Sequence, residues 1–440
     1  MDSTRFGPGP RVVAEPYFTS SPFEPVTAPI ERLEHVDFTD PDLYRTGDPH
    51  AAWKMLRDQG PLFWHEKGSP GTHGKGFWIS GRHAEFVQVT RTDSRIFSNY
   101  DTPLLDMNRD HFGDQISTMD PPRHVGYRRL IQPFLTPKAV ARWTGAVRGL
   151  VDGMLDEVCE RGECDFAEVA LKLPGPATAA LLCLTEDETA NLQSVQEALH
   201  HAGSVEELTR YTESGMAYFG QIIADRRAHP RDDLVGAIIK GQPEGEPLTD
   251  PQILSYLWIL FIGGLDSTVH AITGSLLTLF HHPDQLARLR DDPGLIDTGV
   301  EELLRWTTVS QHLKRLATED TVLGGQKVSA GDFVVVFDPS ANRDERHYPD
   351  PYRFDVGRTP GNLCTFGHGP HICAGLHLAR LELKVLFSKL LRRFPDVAQA
   401  GPAVRSPSFS VLLPPIKSLP ITFTPGPRVG RRPSVASAAT

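Results

Sequence analysis

Apolar positions recur at helical spacing over most of the chain, interrupted by a few short β-branched runs. The longest such stretch covers residues 251–281, with Asp250 as N-cap, Pro251 at the first helical position and His281-His282-Pro283 as the stop. As one helix it would be about 46 Å long, and its mostly apolar circumference predicts burial through a core. Helices are also predicted at 138–158, behind Thr136 and Pro137, and at 206–227. Another is predicted at 376–394, where Leu378, Leu381, Val385 and Leu386 recur at helical intervals. Strands are expected at 76–80 and within 321–337, where Gly324-Gly325 and Gly331-Asp332 are turn pairs. The class is mainly α with small β-sheets (α+β).

Composition narrows the function. The 440 residues are 40% hydrophobic and 23% charged, an ordinary globular mix, with a net charge of −10. That balance opposes a nucleic-acid coat. Residues 253–265 form the longest strongly apolar run, too short for a bilayer span. No signal peptide or membrane anchor is evident, and a cytoplasmic enzyme is the expectation. An N-terminal lead-in at 1–34 is expected to be partly disordered and a tail at 425–440 disordered, flanking one catalytic domain at 35–424.

Five cysteines without a C-x-x-C pair argue against both a disulfide framework and a zinc site of the usual spacing. Cys373 stands out. It lies in Phe366-Gly367-His368-Gly369-Pro370-His371-Ile372-Cys373-Ala374-Gly375, just before the helix predicted from 376. The glycines allow a tight backbone close to a flat ligand, and a helix start favours a thiolate. A shielded thiolate with one open face suits axial ligation of haem iron. Most free cysteines are merely core residues, and Cys364, outside the glycine frame, reads as that kind.

The run resembles the haem-binding loop F-x-x-G-x-[HR]-x-C-x-G of the cytochrome P450 monooxygenases, a match expected by chance on the order of 10⁻⁴ times in such a chain. The resemblance spans residues 35–424. It implies the cytochrome P450 fold, with haem b between the long central helix and the cysteine-bearing helix, and Cys373 as the metal ligand. Residues 261–268, Phe-Ile-Gly-Gly-Leu-Asp-Ser-Thr, resemble the family's oxygen-activation motif, with Ser267 where threonine is usual. Asp266, Ser267 and Thr268 are thereby the catalytic candidates, and the glycines would open room for a ligand or kink the helix. Taken alone, the run also reads as a kink with a polar cluster.

Glu302 and Arg305 match the family's E-x-x-R pair, and Pro351-Tyr352-Arg353-Phe354 suggests Arg353 as the third, structural member. His124, Arg128, Arg315 and His371 match positions directed at the haem propionates; Gly263, Phe366 and Gly375 complete the cofactor set. Any one of these charges alone is more often a solvated surface group. Leu104, Leu105, Ile262, Leu265, Val309 and Leu412 are expected to line the substrate pocket.

No dinucleotide or phosphate-loop signature accompanies these motifs. Electrons are therefore expected from outside the chain, and the resemblance implies NAD(P)H as their source through a separate ferredoxin and ferredoxin reductase, with Arg123, Arg129 and Lys384 as docking cations. The implied reaction uses O2 to hydroxylate or epoxidise a small lipophile of terpenoid, sterol or secondary-metabolite type. Alternatives are a haem-thiolate enzyme with another outcome, such as coupling or peroxygenation, and a non-catalytic haem-binding partner.

Overall fold

The computed structural model describes residues 11–12, 32–40, 43–44, 49–202, 204–405 and 416–430. Most of the expected lead-in, the end of the expected tail and Leu412 lie outside them. The chain divides into two compact units. One comprises Met1–Pro121, Thr273–Cys373 and Gln399–Leu419; the other comprises Pro122–Ile272, Ala374–Ala398 and Pro420–Thr440.

The first unit is organised by a five-stranded sheet in the order Phe63–His65, Phe77–Ser80, Phe333–Val336, Leu313–Ala317, Phe97–Ser98. Phe77–Ser80 pairs parallel with Phe333–Val336, and the other neighbours pair antiparallel. Val334 and Val336 join Phe86, Val89, Phe97 and Ala317 in a buried cluster. The strand Leu313–Ala317 is held on both sides, so it carries Lys314 and Arg315 on a fixed register opposite Val335 and Val334. Gly324 (φ 56°) and Gly325 (φ 82°) make the tight turn between Thr321–Leu323 and Gln326–Val328, as the sequence anticipates. Arg11–Val12, within the expected lead-in, pairs with Val404–Arg405.

The second unit is helical. The stretch expected as one helix over 138–158 is two, Pro137–Ala141 and Thr144–Asp156. The break is a tightened turn, with Arg142 and Trp143 donating three residues back to Ala139 and Val140. Thr136 caps the first helix, its hydroxyl accepting from Ala139 at 3.2 Å. The helices Val205–Ala228 and Leu376–Arg393 lie within a residue of their expected bounds. Lys389 and Arg393 pair with Asp152 and Asp156 at 2.6 Å each, tying Leu376–Arg393 to Thr144–Asp156. Residues 425–430 are anchored rather than loose: Val429 and Gly430 donate to the Asp156 carboxylate at 2.9 and 3.0 Å, and Gly426 donates to the Cys159 carbonyl.

The long helix runs Asp250–His281 without interruption, so Gly263 and Gly264 do not break it. Its stripe Ile253, Leu257, Phe261, Leu265, Val269 and Ile272 is buried. Among the described residues it is the one helix long and apolar enough to cross a membrane, but this stripe is spent on core packing.

Candidate active site

The cysteine loop is a closed structure of the first unit. Gly367 (φ 65°) and Gly369 (φ 70°) occupy backbone conformations that L side chains rarely adopt. A Cβ on Gly369 would also stand 2.3 Å from the Thr90 carbonyl oxygen. The Cys373 N–H donates to the Phe366 carbonyl at 2.9 Å and Ile372 donates to Gly369 at 3.1 Å, which folds the loop back on itself. Cys373 emerges exposed, while Phe366 and His371 are half-buried.

Behind the loop stands a buried polar brace. Arg305 donates to both Glu302 carboxylate oxygens, at 2.7 and 2.8 Å, and to the carbonyls of Asn342 and Pro351, at 2.9 and 2.8 Å. Both side chains are fully buried. The second guanidinium on Glu302, and so the third member of the group, is Arg358 at 3.3 Å, not Arg353. Arg353 is 68% exposed and lies 3.8 Å from Asp355. The reason is the path of residues 349–358: Arg358 also takes the carbonyls of Pro349, Asp350 and Arg353, so the turn wraps around its side chain.

Asn342 completes the brace, and sequence reasoning missed its role. Its amide donates to Thr308 and Thr365 at 2.9 Å each, and its carbonyl oxygen accepts from the Cys364 N–H at 2.8 Å. Thr365 in turn donates to the Leu304 carbonyl at 2.9 Å. The helix Ile296–Thr307 thus holds the first residues leading into the cysteine loop. Nothing in the short-range spacing of Ser340-Ala341-Asn342-Arg343 signals it.

The two cysteines before the helix differ in kind. Cys364 is fully buried among the apolar residues behind the sheet, and burial pushes its thiol well above the ordinary value. A sulfur with no exposed face cannot meet a flat macrocycle, whereas Cys373 can. Arg315 adds an anion receptor: it is buried, and among the described residues no carboxylate lies within the 4.0 Å of an ion pair. Desolvation pulls it down to about 10, with Asp338 and Asp120 acting in the other direction. An exposed thiol on a glycine frame and a buried cation without a contacting carboxylate fit a haem with its acidic side chains.

In the second unit Gly263, Asp266 and Ser267 share one exposed face of the long helix, while Thr268 is buried. Asp266 therefore carries no burial cost of its own. Ser267 donates to the Gly263 carbonyl at 3.0 Å. The two glycines have different tasks. A Cβ on Gly264 would stand 2.6 Å from the Thr178 hydroxyl, whereas one on Gly263 meets nothing within 4 Å. Gly264 serves helix packing, and Gly263 keeps the exposed face open. Gly375 is likewise open. His124 is buried and Arg128 half-buried on the helix Arg123–Ile131, which the Tyr256 hydroxyl holds through the Tyr127 carbonyl at 2.8 Å. Arg123 is already paired with Glu244 at 3.0 Å, which weakens it as a docking cation.

The expected pocket residues divide. Leu105 and Leu265 are fully buried, and the Leu105 N–H donates to the fully buried His312 at 3.0 Å. These are core positions. Leu104, Val309 and Ile262 are half-buried.

The chain belongs to the cytochrome P450 family. A sequence model described as Cytochrome P450 matches residues 294–419. Steroid C26-monooxygenase of Mycobacterium tuberculosis is 31% identical over 409 residues, covering 90% of this chain and 98% of that protein. Linalool 8-monooxygenase of Pseudomonas putida is 30% identical over 379 residues, covering 82% and 92%. A cytochrome P450 structure from Mycobacterium marinum, in complex with pseudoionone, matches with a TM-score of 0.81 at 29% identity, covering 90% of this chain and all of that one. The fold is the cytochrome P450 fold, helix-rich with small sheets, and the family is one of haem-thiolate oxidoreductases that incorporate molecular oxygen.

Proposed function

We propose that this chain is a cytoplasmic monooxygenase in which Cys373 ligates haem iron, and that it hydroxylates or epoxidises a small lipophile of terpenoid, sterol or secondary-metabolite type. The observation that carries the assignment is the exposed thiol of a hydrogen-bonded, glycine-framed loop whose root is held by Asn342, Arg305 and Glu302. When bound, haem supplies the activation of O2 with electrons from outside the chain.

The protein's part is placement and proton handling. The loop presents the Cys373 sulfur and keeps its backbone closed beneath it. Arg315 and His371 offer charge or hydrogen bonds to the propionates. The Ser267 hydroxyl donates to the Gly263 carbonyl, so its lone pairs face outward to accept a hydrogen bond from water. Asp266, exposed one turn beyond Gly263, exchanges protons with that water. Leu104 and Val309 offer apolar surface to substrate. A ferredoxin and its reductase deliver the electrons. The substrate class is supported by the names of the two monooxygenases above, each acting on a lipophile.

The test is turnover of lipophiles that displace iron-bound water, with a surrogate ferredoxin and reductase. Product that needs both NADPH and O2 is expected. Product from peroxide alone, or a Cys373→Ala variant with an unaltered ferrous–CO spectrum, would overturn the reading.

A further inference from the structure

We propose that His83, Cys364 and His368 form a binding site for one thiophilic d10 cation, Zn2+ or Cu+, at the root of the cysteine loop. The proposal rests on Cys373 being the haem ligand, since Cys364 cannot serve both metals.

The three ligand atoms all lie within 4.8 Å of one another. Two imidazoles and a thiol are a donor set for zinc or copper rather than for a hard cation. Cys364 is fully buried and His83 is 6% exposed. The Nε2 of His83 lies 3.0 Å from the Asn362 carbonyl oxygen. A carbonyl only accepts, so Nε2 carries the hydrogen and Nδ1 holds the lone pair. Such a backbone contact is how metal-bound histidines are oriented. The Nε2 of His368 is buried without a hydrogen-bond partner.

The rings are fixed from outside the cluster. His347 stacks on His83 with centroids 3.6 Å apart and planes 7° apart, and Phe86 meets His368 edge-on at 5.8 Å. An apolar residue would fill the position of Cys364 as well, but it would leave the buried His368 Nε2 facing no partner.

Binding forms one metal–sulfur bond and two metal–nitrogen bonds, and the thiol proton leaves to solvent. Cys364 is tied to the Asn342 side chain through its N–H and opens the turn Cys364–Phe366, whose last carbonyl accepts from Cys373. An ion here therefore clamps the loop at its root, through Cys364 just before it and His368 within it. Loading should raise the thermal midpoint of the haem-loaded protein and slow haem loss.

The test uses full-length, haem-loaded protein stripped of other metals. Zn2+ is titrated against a chromogenic chelator, and Cu+ likewise without oxygen. One ion per chain with a Kd below about 1 µM is expected for at least one of the two. Cys364→Ser and His368→Asn should each weaken binding by about 100-fold or more while keeping the thiolate-type ferrous–CO band. Cys373→Ser should keep the ion and lose that band. Failure of both ions to bind, or binding unchanged in the two cluster variants, overturns the site and leaves the haem assignment standing. Loss of the band in Cys364→Ser with its retention in Cys373→Ser overturns the haem assignment and this site with it.

Discussion

Replacing Arg305 tests how the cysteine loop is held. The guanidinium makes four hydrogen bonds, two to the Glu302 carboxylate and two to the carbonyls of Asn342 and Pro351. Neither member of the ion pair is exposed. Arg305→Ala leaves Glu302 with one longer guanidinium contact, Arg358 at 3.3 Å, and the Asp355 N–H at 3.1 Å. It also strands two carbonyls. Breaking a buried pair from one side costs about 3–5 kcal/mol, a large share of the ~5–15 kcal/mol that holds a domain. Arg305→Lys keeps the charge but loses the fork, so about half that cost is expected. Urea unfolding followed by tryptophan fluorescence, together with the haem retained after gel filtration, measures both consequences. The midpoints should fall in the order wild type, Lys, Ala, with haem retention falling in the same order. An Ala variant that matches wild type in both would refute the idea that this brace supports the loop.

The two glycines of the long helix should separate packing from access. Gly264→Ala drives a Cβ toward Thr178 and should cost about 1–3 kcal/mol. Gly263→Ala should stabilise the helix by about 0.5–1 kcal/mol yet lower the rate of product formation, because it crowds the open face; equal effects on stability would defeat the distinction. Glu382 is fully buried, no cation among the described residues pairs with it, and burial raises it from 4.5 to about 8. Its raised value means the folded chain keeps a proton that the unfolded chain releases, so stability falls as pH rises from about 4.5 to about 8, by at most about 1.4 kcal/mol per pH unit. Relative to wild type, Glu382→Gln should therefore gain stability between pH 5.5 and 7.5, read as a rising difference in urea midpoint. A constant difference would show that Glu382 is already ionised when folded.

The sequence by itself determined what depends on short spacing. Helical geometry brings i and i+3 together, so the Glu302–Arg305 pair was legible from its spacing, as was the closed loop around Cys373 from its glycines. The bounds of Val205–Ala228, Asp250–His281 and Leu376–Arg393 and the Gly324-Gly325 hairpin were legible for the same reason, whereas the break within 138–158 was not. Only the tertiary structure decided contacts made by segments far apart in the chain. Arg353 and Arg358 are equally plausible on paper; the wrap of residues 349–358 decides which one reaches Glu302. Gly263 and Gly264 are neighbours with different duties because one alone faces Thr178. Asn342, and the meeting of His83 with Cys364 and His368, depend on chain paths that no local pattern encodes. Backbone stereochemistry restricts each residue's near neighbours, whereas distant partners are chosen by the packing of the whole unit.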